Sequence, residues 1–362
     1  MVAKLFSKKL LGMVSMYSQL KASKPSRRAF CKYSALAIAS LLTTVGCRPQ
    51  TNTAGNAAPS PTLRIGLNLW AGFMPWQVAK EKDFFKANNL NAKIVWFPVL
   101  SDQITAFNAG KIDAIGITLY DFITSASNGV KSKIISITDM SLGADAIVVN
   151  PAIKSIGDIA GKRTSIEVGT VGHLLFLKAL EKGGITKDKV AVVNQSADAA
   201  IASLIANRTD VAYAYEPFVS QAVASGKGKV IFSSKDIPGL VPDLMVVQQS
   251  TLDGQPESIQ KMLDVWYKTL AYRQTNMDEV LPIEAKQAGL AVKDYQNLLQ
   301  GFKWLTPTEA SAMFQPGTTA QSLVFNAQDV SSLMLKEKLI TKPLPPITEL
   351  IDDRFLKKTI TQ

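Results

Sequence analysis

The chain has 362 residues, 47% of them hydrophobic, and a formal net charge of +11. Eight Lys or Arg and no acid fall in residues 1–46, so 32 basic against 29 acidic side chains remain beyond them, a net of +3 that excludes a polyanion-binding body. Two cysteines, Cys31 and Cys47, and one histidine, His173, exclude a disulfide framework, a thiol nucleophile after residue 47 and a multi-His or Cys metal site.

In chain order, the first feature is an export address. Ser26-Arg27-Arg28-Ala29-Phe30-Cys31-Lys32 precedes an apolar run from Tyr33 to Val45. That run is about 13 residues where crossing a bilayer takes roughly 20, so residues 1–46 read as a removable leader and not as an anchor helix. The paired arginines resemble a twin-arginine leader, which exports a folded protein. Thr44-Val45-Gly46-Cys47 resembles a lipoprotein cleavage box in which Cys47 becomes the lipidated first residue, with Thr44 where Leu is usual. Met13 or Met16 are alternative starts. An internal hydrophobic helix is the competing reading, opposed by the arginine pair and by the Pro/Ser/Thr/Asn/Ala-rich stretch that follows. Residues 47–62 read as a flexible tether. The expected location is therefore periplasmic, lipid-anchored to a membrane through Cys47.

From Leu63 onward, short β-branched runs alternate with helical periods. Strands are expected at 63–68, 92–97, 112–118 and 133–138, with helices at 76–88, up to Ala109 behind a Ser101-Asp102 cap, and 121–127. A second unit of the same rhythm has strands at 145–150, 163–167, 190–193, 211–215 and 230–232. Thr170 caps its long helix, which Gly183-Gly184 ends. After an apolar strand at 243–248 only helices are expected, the first with Ile259, Met262, Leu263, Trp266 and Leu270 on one face. The spacing predicts an α/β protein of two lobes, each a mostly parallel sheet flanked by helices, with two hinge crossings (138–145 and 233–243) and a helical C-terminal tail. Lobe 1 comprises 63–140 plus 244–362, and lobe 2 comprises 141–243.

Particular residues add to this pattern. Arg64-Ile65-Gly66, Trp70, Ala79-Lys80-Glu81-Lys82-Asp83-Phe84-Phe85, Gly110-Lys111-Ile112-Asp113-Ala114, Ile156-Gly157-Asp158-Ile159-Ala160-Gly161-Lys162-Arg163 and Tyr215-Glu216-Pro217 stand in order. Together they resemble the nitrate/sulfonate/taurine class of periplasmic solute-binding proteins, with Asp83 where that class usually has Gly. The resemblance implies a type II periplasmic-binding-protein fold and a non-enzymatic receptor, expected as a monomer. Such a receptor closes on a small solute and delivers it to an ABC permease and its ATPase.

Ligands of such sheets lie beyond the carboxyl ends of strands. Asn68, Thr118 and Gln195 also stand at these ends, and the residues expected to bind there are Trp70, Tyr120, Asp121, Asp145, Glu167, Thr170, His173, Tyr215, Glu216 and Asp243, which include five carboxylates and no Lys or Arg. Such a lining favours a small cation or a donor-rich nitrogen compound such as guanidinium, with aromatic faces from Trp70, Tyr120 and Tyr215. Gly143-Ala144-Asp145-Ala146-Ile147-Val148-Val149, Val192-Val193-Asn194-Gln195-Ser196, and Ser233-Ser234-Lys235-Asp236-Ile237-Pro238-Gly239 with Pro242-Asp243-Leu244 resemble the urea-carboxylase-associated subgroup, which points the same way. An alkanesulfonate, taurine or nitrate is the alternative. Each residue also has a plainer reading: Asp121 as a helix N-cap, Glu216 as a cap, Asp145 paired with a lysine, Asp243 as a hinge acceptor, Glu167 bonded to amides after Gly169, and His173 as a packing residue. The loop Ser225-Gly226-Lys227-Gly228-Lys229 lacks phosphate-loop spacing and reads as a solvated turn.

Two rivals share the scaffold. The pyrimidine-precursor synthases of thiamine biosynthesis carry a cysteine-rich motif that this chain lacks. A sensor subunit would offer the same cleft to a signalling partner. No cofactor and no metal is expected.

Overall fold

The computed structural model describes residues 61–361. The leader, lipidation at Cys47 and all but the end of the tether lie outside the described residues. Eleven strands form two sheets among the described residues. They are β1 (Leu63–Asn68), β2 (Ala92–Phe97), β3 (Ala114–Thr118), β4 (Ser132–Ser141), β5 (Asp145–Val149), β6 (Arg163–Ile166), β7 (Ala191–Asn194), β8 (Val211–Tyr215), β9 (Lys229–Ser233), β10 (Pro242–Gln248) and β11 (Phe302–Trp304).

The first sheet has the order β11-β4-β10-β3-β1-β2 and the second β7-β6-β8-β5-β9. Parallel pairs join β1 to β2 and β3, and β6 to β7 and β8. Crossover helices link β1 to β2 and β6 to β7 directly, as parallel pairing requires, and helices likewise carry the chain from β2 to β3 and from β7 to β8. The strands next to the crossings run the other way: β10 is antiparallel to β3 and β4, and β5 is antiparallel to β8 and β9. Each sheet is therefore mixed, because chain entering from the other sheet does so without a crossover helix to reverse it. β3, β5 and β8 are buried along their whole length, as strands covered on both faces must be.

β4 runs on to Ser141 and β10 starts at Pro242, so the segments between the sheets are 142–144 and 234–241. Both are shorter than the expected crossings. In consequence Asp139 and Asp243 are strand residues, directly opposite one another in the β4–β10 pair.

The expected helix at 76–88 is two helices, Pro75–Glu81 and Phe84–Ala87, separated at Asp83, whose φ is 54°. The tail returns to the first sheet through ring packing: Trp266, in the helix Pro256–Thr275, stacks on Trp76 with centroids 5.1 Å apart. Ile259, Met262 and Leu263 are buried on the same helix, as the periodicity predicts, while Leu270 is only partly buried. The tail is not purely helical. β11 pairs antiparallel with β4 and covers that edge of the first sheet. Among the described residues no helix is long and apolar enough to cross a membrane.

Candidate functional site

The carboxyl ends of β1 and β3 and the start of β10 face the second sheet across a small cavity of about 20 Å³. Asn68 and Trp70 follow β1, Thr118 and Asp121 follow β3, Asp243 comes from β10, and Asp145, Val171 and Tyr215 come from the opposite side. Among the described residues, three carboxyls line this cavity and no Lys or Arg does.

Each carboxyl is held by specific donors. Asp121 is fully buried in the first turn of the helix Leu119–Ser127, where Thr118 Oγ1 donates to its Oδ2 at 2.7 Å. Its Oδ1 accepts from the backbone N–H of Val171 at 3.2 Å. Burial pushes the Asp121 carboxyl up to about 7, against the Thr118 hydrogen bond that lowers it. Asp145 accepts from the Tyr213 hydroxyl at 2.6 Å, and among the described residues no lysine pairs with it; burial raises it too. Asp139 accepts from Trp70 Nε1 at 3.0 Å and from Thr138 Oγ1 at 3.0 Å, and burial pushes it up to about 7. Asp243 stands opposite Asp139 in the strand pair; burial, and then the Asp139 charge, raise it well above the usual carboxylate range.

Five of the ten residues expected in the site meet around the cavity: Trp70, Asp121, Asp145, Tyr215 and Asp243. The other five do not line it. Tyr120 is the second residue of a helix that starts directly after β3; it is buried and belongs to the hydrophobic core. Glu167 is turned to the N–H of Ser101, 2.9 Å away across the cleft, and not to the amides after Gly169. Thr170 caps the helix Val171–Gly183 and donates to the carbonyl of Glu167 at 2.8 Å. Glu216 accepts from the N–H and hydroxyl of Ser220 at 3.0 and 2.9 Å, a helix-capping role, and burial pushes it up to about 7. His173 is half-buried; burial lowers its pKa, and Lys187 and Glu337 are the charges that bear on it.

One participant was not anticipated. Asp139 lies inside a segment read as a crossing, so its place in a strand facing Asp243 was hidden. Asn68, expected at the mouth after β1, does line the cavity; it donates to the Tyr215 hydroxyl at 3.3 Å while its Oδ1 is buried without a partner among the described residues. The aromatic wall is continuous, since Trp70 meets Tyr215 edge-on with centroids 6.2 Å apart and Phe302 at 5.2 Å.

Two α/β sheets passing strands to each other, with a polar cavity at the carboxyl ends between them, define a periplasmic-binding-protein fold. The alkanesulfonate-binding protein SsuA from Xanthomonas axonopodis pv. citri, solved bound to MOPS, shares it with a TM-score of 0.70 at 18% identity, over 82% of this chain and 100% of that one. The chain belongs to the NMT1/THI5-like family, whose model matches residues 70–279. A protein of Brucella abortus (strain 2308) named as a binding protein is 22% identical over 284 residues, 78% of this chain and 87% of the relative. A Bacillus subtilis (strain 168) protein named for binding aliphatic sulfonates is 21% identical over 306 residues, covering 83% of this chain and 88% of that one.

Proposed function

We propose that the protein is the extracytoplasmic solute-binding receptor of an ABC importer, its lobes (63–140 plus 244–362, and 141–243) closing on a small solute that it passes to a permease and ATPase. The export leader and Cys47 motif support delivery as a lipid-anchored monomer outside the cytoplasm. For the solute, the reading favoured is a small cation or donor-rich nitrogen compound such as guanidinium. One observation carries it: the cavity lining holds three carboxyls and no cationic side chain. An incoming cation would recover the charge interactions that burial denies those carboxyls, and Asn68 Oδ1 offers an acceptor in need of an N–H. The names of the relatives favour a second reading, an anionic sulfonate, taurine or nitrate. Protonated carboxyls would then serve as donors to the anion.

A calorimetric titration of the purified protein with guanidinium, urea, methylammonium, taurine, methanesulfonate and nitrate at pH 8 separates the readings. Guanidinium or another nitrogen donor should bind and the sulfonates should not. Binding of taurine or methanesulfonate with silence from every cation discards the cationic reading and keeps the receptor. Silence from every solute counts against the receptor role itself.

A further inference from the structure

The two helices that point their N-termini into the cleft from opposite sides each end on a carboxylate from the other side. Glu167, just after β6, accepts from the N–H of Ser101 at 2.9 Å, and Ser101 is the second residue of the helix Leu100–Asn108. Asp121, just after β3, accepts from the N–H of Val171 at 3.2 Å, the first residue of the helix Val171–Gly183. Both carboxylates are buried, Asp121 at 0% and Glu167 at 5% exposure. Among the described residues, the charges that bear on them are other carboxylates, with Glu167 acting on Asp121 and Asp198 and Asp102 on Glu167. Neither is therefore held in place by a lysine or arginine. Glu167 is held by the Ser101 N–H and Asp121 by the Val171 N–H together with Thr118 Oγ1, at helix ends whose positive pole favours negative charge.

We propose that Asp121 and Glu167 form a reciprocal clasp in which each lobe supplies the acceptor for a helix N-terminus of the other, stabilising the closed protein and keeping a solute's anionic group off both helix ends. The proposal rests on the two-lobed receptor reading. Opening the cleft breaks both contacts together and exposes two helix ends and two carboxylates to water, so the clasp acts as one device and not as two separate caps. Glu167, which does not line the cavity, contributes to specificity by occupying a position. An oxyanion seeking the N-terminus of Leu100–Asn108 must first displace it. Asp121 has a second task, because it also lines the cavity; a donor bound there meets a carboxylate already oriented by Val171 and Thr118.

Small-angle X-ray scattering of the full chain without any solute tests the clasp. Glu167→Ala and Asp121→Ala each remove an acceptor and should raise the radius of gyration above that of the parent. Glu167→Gln and Asp121→Asn keep an amide oxygen in place and should stay closer to the parent than the alanine variants do. Hydrogen exchange of the Ser101 and Val171 amides in the parent, each slowed by its carboxylate, reads the same contacts without a substitution should Glu167→Ala not fold. In Glu167→Ala, nitrate or methanesulfonate should gain affinity by about tenfold or more through the vacated N-terminus. The clasp is overturned if the alanine variants scatter as the parent does, or if the Ser101 and Val171 amides exchange as freely as exposed ones. A shift from one side alone overturns its reciprocity. Because scattering is read without solute, failure of the clasp is distinct from failure of the receptor reading, which shows as binding of nothing by the parent.

Discussion

Asp139 and Asp243 face each other in register across the antiparallel β4–β10 pair, two carboxyls buried side by side. Like charges so placed cannot both ionise cheaply, so at neutral pH the pair retains a proton. Burial pushes Asp139 up to about 7, and burial with the Asp139 charge drives Asp243 higher. The folded protein thus holds protons that the unfolded chain releases once the pH passes the ordinary Asp range near 4. Stability from this pair is full below that range and is lost as pH rises through about 7. Each unit of raised pKa corresponds to roughly 1.4 kcal/mol. Asp243→Asn, which cannot ionise, should therefore gain on the parent in urea unfolding between pH 5 and pH 8. An unchanged difference across that range would show that the pair does not share a proton.

The same raised carboxyls fix the sign of the pH dependence of binding. Asp121 and Asp139 are pushed up to about 7 by burial, so both are partly protonated at neutral pH. A cation binds the ionised form and expels protons. Its affinity should rise from pH 6 to pH 8, by up to about tenfold per pH unit for each proton released. An anion would show the reverse. Calorimetry in two buffers of different ionisation enthalpy counts the protons directly; uptake on binding guanidinium would contradict the cationic site.

Much of this architecture was legible in the sequence because its signals are local. Thr170 is an N-cap hydroxyl and Gly184 closes the same helix in a left-handed conformation at φ 63°, as the capping residues predicted. Strand ends placed Trp70, Asp121, Asp145 and Tyr215 at the cavity. What stayed hidden depended on register and on contacts distant in sequence. β4 continues past Thr138 through the polar Asp139, which alternation cannot recognise as strand. Tyr120 sits one residue before Asp121, yet a helical turn of about 100° per residue separates their directions. The approach of Glu167 to Ser101 spans 66 residues of chain, and no spacing rule reaches across it. β11, three residues long, is too short for any period to register.

Asp83 stands where the resembled family usually has glycine, and the backbone explains that preference. Its φ of 54° lies in the left-handed region, where a Cβ is disfavoured and only Asp or Asn approaches the tolerance of glycine. Relief of that strain exceeds the extra chain entropy glycine loses on folding, so Asp83→Gly should stabilise the protein by about 0.5–1 kcal/mol. Urea unfolding checks it. The side chain makes no capping hydrogen bond to the following helix that the substitution would forfeit.

Gly72 lies beneath the aromatic wall of the site, and its lack of a side chain is what lets Trp70 reach Asp139. A Cβ built at Gly72 would overlap Trp70 Nε1 and lie 2.8 Å from Asp139 Oδ2. Its backbone is also anchored from behind, because Trp304 Nε1 donates to its carbonyl at 2.7 Å and Tyr295 donates to that of Ala71 at 3.2 Å. The segment is not free to slide away, so in Gly72→Ala either the indole or the carboxylate must move. Moving either breaks the 3.0 Å bond between them and leaves a buried acceptor exposed to an unmatched environment. Overpacking of this kind typically costs about 1–3 kcal/mol. Trp70→Phe removes the same donor without adding volume. Both variants should weaken binding of whichever solute the parent takes, by about tenfold or more. They should differ in stability, with Gly72→Ala the more destabilised in urea unfolding. If Gly72→Ala binds as the parent does, Trp70 and Asp139 are scaffolding behind the cavity and the solute is held by Asp121, Asp145 and Asp243 alone.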